Sequence, residues 1–80
     1  MGLVNRLIRV TVGPDRQPLS FWWNRRRFRI NEVIEVWRDT GQWWEGEAEK
    51  SFYRVSAGRG VYELCFDSRN SEWRLYKVYD

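Results

Sequence analysis

The sequence predicts an all-β protein, either a small single-domain barrel or a strongly curled antiparallel sheet of five to six strands. Short segments of alternating apolar and polar residues are separated by turn residues, and no stretch shows the 3.6-residue apolar periodicity of an amphipathic helix. A chain of 80 residues buries only about 60% of its unfolded surface. Its fourteen aromatic residues suit such a small core, because each one buries about 150–250 Å². We therefore expect one domain spanning residues 1–80.

The first two predicted strands lie on either side of a Gly-Pro-Asp turn. Leu7–Val12 alternates β-branched residues with polar ones, which is typical of a half-buried strand. Leu19–Asn24 is a short apolar run that follows a second proline. Because successive side chains of a strand point to opposite faces, Phe21 and Trp23 should share one face and Trp22 the other.

The third predicted strand, Arg25–Arg38, is long, and its sequence is compatible with two registers. In a regular strand, the side chains of three residues would face the core: Glu32, Ile34 and Val36. A bulge near Asn31-Glu32 would instead bring Val33 to the core face. The sequence does not distinguish these alternatives.

The last three predicted strands form a meander. They span Ser51–Ala57, Val61–Asp67 and Glu72–Tyr79. The connections are Gly58-Arg59-Gly60 and Ser68–Ser71, which have the lengths and turn residues of β-hairpin loops. No internal repeat or linker interrupts this order.

A tryptophan-rich stretch, Trp37–Val55, joins the two halves of the chain. Gly41 and Gly46 permit a turn there, on either side of Trp43 and Trp44. We expect at least one of these two tryptophans to close the core. The pair is also a candidate interaction surface, because tryptophan is enriched at the energetic centres of interfaces.

A cluster of arginines is the strongest indication of a partner. Residues 1–38 carry eight basic and three acidic groups, a balance of +5, whereas residues 39–80 carry six basic and eight acidic groups, a balance of −2. Arg25, Arg27 and Arg29 should project from one strand face at intervals of about 6.6–6.8 Å, close to the phosphate spacing of a single nucleic-acid strand. With Arg26 and a nearby stacking plane such as Trp22, they predict a site for single-stranded nucleic acid.

The alternative for this cluster is a solvated strand face. Its arginines would then pair with Glu45, Glu47 and Glu49, and exposed pairs of this kind contribute little to stability. The same glutamates could bind a divalent cation through oxygen ligands. Their i, i+2, i+4 spacing is more typical of a solvated acidic edge, so we predict no metal site.

Catalysis is not expected. The sequence contains no histidine, which removes nucleophile–base pairs of the Ser-His and Cys-His kinds. Cys65 is the only cysteine, and a single cysteine in a strand is usually a small buried residue. There is no glycine-rich phosphate loop, and no cofactor or small-molecule substrate is predicted.

The chain shows no targeting signal. No apolar run approaches the about 18–20 residues of a membrane span, and no N-terminal apolar segment precedes a cleavage site. The single cysteine excludes a disulfide framework. We therefore expect a cytoplasmic protein that does not associate with membranes.

Several motifs resemble a bacterial family. They are Trp37-Arg38, Gly41, Trp43-Trp44, Gly46, Lys50, Phe52-Tyr53-Arg54-Val55, Tyr62-x-Leu64 and Trp73-x-Leu75-Tyr76-x-Val78-Tyr79-Asp80. The pattern is similar to the C-terminal domain of ImuB-like proteins, which are non-catalytic relatives of Y-family polymerases. It resembles more closely the DUF6504 type of short bacterial proteins of unknown function. The resemblance covers about residues 24–80.

The resemblance implies an accessory module, linked to DNA repair or translesion synthesis, and transfers no activity to particular residues. Two function hypotheses follow. The first is a non-enzymatic module that binds single-stranded nucleic acid through the arginine cluster. The second is a protein-interaction or homodimerisation module that uses Trp43 and Trp44. The steep salt dependence of nucleic-acid binding distinguishes the two.

Overall fold

The protein is an antiparallel β structure in a computed structural model that describes residues 2–39 and 49–79. Within those ranges the chain forms strands and turns and no helix. The strands are Gly2–Ile8 (β1), Val10–Val12 (β2), Pro18–Trp23 (β3), Arg26–Asp39 (β4), Lys50–Ala57 (β5), Gly60–Asp67 (β6) and Glu72–Tyr79 (β7). The all-β prediction is confirmed. The prediction of five to six strands is wrong, because the described residues alone form seven.

The additional strand comes from the N-terminal segment. The chain is already extended at Gly2, before the predicted start at Leu7, and it bends at Arg9. The part before the bend pairs with β7, and the part after it pairs with β3. Ile8 and Val10 both pack against the core, so the apolar alternation continues through the bend and no turn residue marks it.

This bend curls the sheet. The strand order is β1-β7-β6-β5-β4-β3-β2, so the two edge strands are consecutive in the chain. Because a single residue separates the edges, the sheet folds back on itself as a half-barrel. The core lies on the concave face and is centred on five fully buried residues: Phe21, Val55, Ala57, Leu64 and Leu75.

The bulged register of β4 is the correct alternative. The pairing of β4 with β5 shifts at Asn31 and again at Ile34. Val33 packs against the core as a result, whereas Ile34 and Val36 are 47% and 46% exposed. The regular register is wrong because a bulge reverses which side chains face inward.

The other strand predictions agree with the structure. Phe21 is buried and Trp23 packs against the core, while Trp22 on the opposite face is 43% exposed. Cys65 is buried in β6. The predicted turn with Trp43 and Trp44 lies outside the described residues. Among the described residues there is no helix of the length and apolarity that a membrane crossing requires.

Candidate nucleic-acid interface

The β3–β4 hairpin positions the arginine cluster. Its two-residue loop, Asn24-Arg25, has φ angles of 52° and 64°. Positive φ at both central residues is typical of a type I′ turn, whose twist matches that of the flanking strands. Arg25 therefore lies in the turn and not in the strand, which corrects the prediction that it shares a strand face with Arg27 and Arg29.

The remaining predicted residues lie on the paired strands. Arg27 is directly opposite the exposed Trp22, and Arg29 is opposite Ser20. The Arg27 Nε donates a hydrogen bond of 3.3 Å to the Ser20 hydroxyl. This contact leaves the terminal nitrogens of the guanidinium available, so an exposed indole and a cation lie side by side on the outer face.

A second hairpin completes a groove next to this cluster. The β5–β6 turn, Gly58-Arg59, approaches the start of β4, and the Asn31 side-chain amide reaches the Gly58 carbonyl at 3.5 Å. Between the two hairpins is an open groove of about 540 Å³, which we call the arginine groove. It is lined by Arg26, Arg27, Phe28, Arg29, Asn31, Ala57, Gly58, Arg59 and Tyr62.

Aromatic rings form the inner wall of the arginine groove. The Phe28 ring stacks on buried Phe21 with a centroid distance of 5.2 Å and lies 5.5 Å from the Tyr62 ring. Tyr62 also meets Phe21 edge to face at 5.2 Å. The Arg26 guanidinium carbon lies 5.8 Å from the centre of Phe28. Because Phe28 and Tyr62 pack against the buried Phe21, the core holds the wall of the groove in position.

The arginine groove is electropositive. Among residues 2–39 and 49–79, its lining contains four arginines and no carboxylate. Within residues 2–39 and 49–79, the ion pairs involve other arginines: Arg38 with Glu49 at 3.7 Å, and Arg54 with Glu35 at 2.8 Å and Glu63 at 3.9 Å. Glu49 thus pairs with Arg38 and not with the cluster, contrary to the solvated-face alternative. Glu45 and Glu47 lie outside the described residues.

A separate polar cluster lies on the convex face, and we call it the outer-face network. Its members are Glu35, Trp37, Arg54, Glu63 and Tyr79. The Arg54 guanidinium carbon lies 5.2 Å from the Trp37 ring centre and 5.3 Å from the Tyr79 ring centre. The Tyr79 hydroxyl donates to the Glu63 carboxylate at 2.6 Å and accepts from Arg54 at 3.4 Å.

This network surrounds the buried carboxylate of Glu63. Glu63 is only 3% exposed, and a buried carboxylate requires partners. The hydrogen bond to Tyr79 raises the pKa of Arg54, and the carboxylates of Glu35 and Glu63 add to that rise against the effect of burial. The network is therefore suited to stabilising the sheet rather than to binding an anion.

Cys65 is unsuited to chemistry. Burial raises the pKa of its thiol, which disfavours the reactive thiolate. In the described part of the chain, no three Cys, Asp or Glu side chains are grouped as metal ligands would be. The clearest candidate site among the described residues is therefore the arginine groove.

The five residues predicted to bind nucleic acid lie in or next to the arginine groove. Arg26, Arg27 and Arg29 line the groove, Trp22 flanks it, and Arg25 caps the hairpin beside it. Six lining residues were not predicted: Phe28, Asn31, Ala57, Gly58, Arg59 and Tyr62. For Arg59 the Gly-Arg-Gly turn was the available signal, since a hairpin tip exposes its charged residue, but only the curl of the sheet brings that tip to β4.

Comparison with family models confirms the resemblance to the DUF6504 type and extends it along the chain, whereas the resemblance to ImuB-like C-terminal domains stays a prediction. The model of the family described as "Domain of unknown function (DUF6504)" matches residues 4–80, so the match also includes the N-terminal strands that lie outside the recognised motifs. Searches of curated proteins and of solved structures found no match. Because the family model matches nearly the whole chain, this protein belongs to the DUF6504 family.

Proposed function

We propose that this protein is a non-enzymatic accessory module that binds single-stranded nucleic acid through the arginine groove. One observation supports this most strongly: four arginines surround a groove of about 540 Å³, and none of the described residues that line it carries a carboxylate. Like charges gathered without counter-charges destabilise a fold, so their placement indicates a function for an anionic ligand.

Guanidinium groups suit phosphate well. Arginine presents several N–H donors in a planar fork that matches phosphate geometry, and it remains charged at all physiological pH values. Arg27 and Arg29 are two residues apart in β4, so they recur at about 6.6–6.8 Å. Arg59 approaches from the facing hairpin. This arrangement can follow a sugar–phosphate backbone with successive phosphates on different arginines.

Exposed rings next to the cations supply the second element of single-strand binding. Trp22 is 43% exposed and directly opposite Arg27 in the hairpin. Stacking of a base on such a ring contributes about 1–3 kcal/mol and is tolerant of sequence. A nucleotide whose phosphate meets Arg27 can therefore place its base on Trp22. We expect little discrimination between bases.

The resemblance to ImuB-like C-terminal domains suggests the setting. Those domains accompany translesion synthesis in bacteria, where single-stranded DNA is exposed. We propose a cytoplasmic role at such DNA for this chain. The arginine groove supplies the physical reason, because a module without a catalytic centre can still add affinity for the template strand.

The test is the affinity for a fluorescently labelled oligothymidylate, measured by anisotropy over a series of salt concentrations. The logarithm of affinity falls with the logarithm of salt by about 0.7 for each phosphate contacted on a single strand. With three or four contacts, we expect a slope of about −2 to −3. The double variant Arg27→Glu, Arg29→Glu should lose binding.

A matched control separates the groove from overall charge. Arg6→Glu combined with Arg16→Glu changes the net charge by the same amount at exposed positions outside the groove lining. This control should keep most of the affinity. Equal losses in both double variants, or no binding by the wild type at low salt, would overturn the proposal.

A further inference from the structure

A row of three side chains crosses the outer face of the sheet next to the arginine groove. Trp22 of β3 lies directly opposite Arg27 of β4. On the other side of β3, the Trp22 backbone N–H donates a hydrogen bond of 3.0 Å to the Arg9 carbonyl, which continues the pairing of Val10 with Phe21. Trp22 therefore stands between two arginines that are distant in the sequence. We call Arg9, Trp22 and Arg27 the tryptophan row.

All three side chains of the tryptophan row are on the surface. Ile8 and Val10, on either side of Arg9, both pack against the core. Because successive side chains of an extended chain alternate between the two faces, the Arg9 side chain points outward, and Arg9 is exposed. Trp22 is 43% exposed, and Arg27 is exposed as well. A ligand in solution can therefore reach all three.

The indole ring of Trp22 has no stacking partner among the described residues. Other tryptophans are covered: Trp37 stacks on Phe52 at 5.5 Å, and Trp73 lies 5.2 Å from Tyr53. In the described part of the chain, no aromatic ring and no cation makes such a contact with Trp22. An exposed aromatic ring beside basic residues is the kind of plane on which an unpaired base stacks.

The two arginines of the tryptophan row have no carboxylate partner. Within residues 2–39 and 49–79, neither Arg9 nor Arg27 forms an ion pair. Arg27 bonds to Ser20 through its Nε, so its terminal nitrogens are available. The backbones of Arg9 and Arg27 are two inter-strand spacings apart, about 9.4–9.8 Å. Both long side chains can therefore contact one ligand that lies over the ring between them.

From these observations we propose that the tryptophan row binds one unpaired nucleotide, with a phosphate on each side of its base. The base stacks on Trp22, Arg27 contacts one phosphate, and Arg9 contacts the next. This inference rests on the proposed function, because the nucleotide belongs to the strand bound in the arginine groove. It adds Arg9 to the binding residues and extends the path of the strand across β3. A base paired within a duplex cannot stack on the ring, so the row selects single strands.

Neutralising Arg9 tests the second phosphate contact. The affinity for labelled oligothymidylate is measured over a series of salt concentrations for Arg9→Gln and for the matched control Arg6→Gln, which removes another exposed arginine of the N-terminal segment. Arg9→Gln should make the salt slope shallower by about 0.7, the value for one phosphate of a single strand. Arg6→Gln should keep the wild-type slope. Arg9→Lys should keep it too, because the charge is retained, and circular dichroism verifies the fold of each variant.

The fluorescence of Trp22 tests the stacking. The signal is the part of the tryptophan quenching by oligothymidylate that disappears in Trp22→Phe. An abasic oligomer of the same length supplies the phosphates without the bases, so it should leave Trp22 unquenched and bind about fivefold or more weakly. Two further probes, a duplex of the same length and a polyglutamate peptide of the same charge, should also leave Trp22 unquenched.

Two results would overturn this inference. One is an unchanged salt slope in Arg9→Gln, which leaves the arginine groove as the binding site if Arg59→Glu still loses affinity. The other is equal quenching of Trp22 by polyglutamate, which would indicate an acidic protein as the partner. Conversely, a shallower slope in Arg9→Gln together with full affinity in Arg59→Glu would support the tryptophan row and contradict the groove. Failure of this inference is therefore distinguishable from failure of the proposed function.

Discussion

Replacing Tyr79 with phenylalanine tests how the outer-face network stabilises the sheet. The substitution keeps the ring that lies 5.3 Å from the Arg54 guanidinium and removes only the hydroxyl. That hydroxyl makes the 2.6 Å hydrogen bond to Glu63, a carboxylate that is 3% exposed. Within the described residues, the Glu63 carboxylate also forms an ion pair with Arg54 at 3.9 Å. Tyr79→Phe therefore leaves a buried charge without its shortest hydrogen bond.

The magnitude follows from the kind of bond lost. Hydrogen bonds to charged groups contribute about 1.5–3 kcal/mol to stability, so Tyr79→Phe should lower the free energy of unfolding by about that amount. For a domain of this size, each kcal/mol corresponds to about 4–8 °C in melting temperature. No cavity adds to the loss, because the ring is retained.

Urea unfolding followed by circular dichroism is the appropriate assay. The midpoint should fall while the slope m stays constant, since the surface exposed on unfolding does not change. Tyr76→Phe is the matched control in the same strand, because the Tyr76 hydroxyl makes no hydrogen bond within residues 2–39 and 49–79. A Tyr79→Phe protein within about 0.5 kcal/mol of the control would refute the reasoning.

Four further predictions address the site and the core. Trp22→Phe should remove more of the iodide-quenchable fluorescence than Trp73→Phe, because Trp22 is the more exposed of the two. Gly60→Ala should destabilise the protein modestly in urea, since an added Cβ would lie 3.1 Å from the Tyr62 hydroxyl oxygen. Cys65 should resist alkylation until urea unfolds the protein, because burial raises its thiol pKa. That raised pKa also means that the native state retains the proton longer than the unfolded chain. The contribution of the Cys65 thiol to the free energy of unfolding is thus complete below its ordinary pKa of 9.0 and should decline at higher pH. The Cys65→Ala variant should lose less stability than the wild type as the pH rises above that value.

The strands were predictable because local patterns determine them. Alternation and turn residues located the meander from β5 to β7 almost to the residue, and they assigned Trp22 and Trp23 to their correct faces. The break at Arg9 was not predictable, since an unbroken alternation runs through it and only the closure of the sheet requires it. The bulge at Asn31 was left open for a related reason, because both registers of β4 bury some aliphatic residues.

The candidate site likewise contains residues that the sequence indicated and residues that only the fold brings together. The arginine cluster was visible in the sequence, because Arg26, Arg27 and Arg29 lie within four positions of one another. Arg59 is thirty positions beyond Arg29 in the sequence, and it joins them only because the half-barrel brings two hairpin tips together. The pairing of Arg54 with Glu63 was equally hidden, although a glutamate within the apolar strand Gly60–Asp67 signals a buried partner.

Arg59 therefore provides the most direct test of the proposed function. The measurement is the affinity of Arg59→Glu for labelled oligothymidylate at one low salt concentration, compared with Arg16→Glu, which makes the same charge change in the turn between β2 and β3. If the arginine groove binds the strand, Arg59→Glu should lose about tenfold or more, which corresponds to about 1.4 kcal/mol, and Arg16→Glu should lose little. Equal affinities for the two variants would contradict the groove as the binding site.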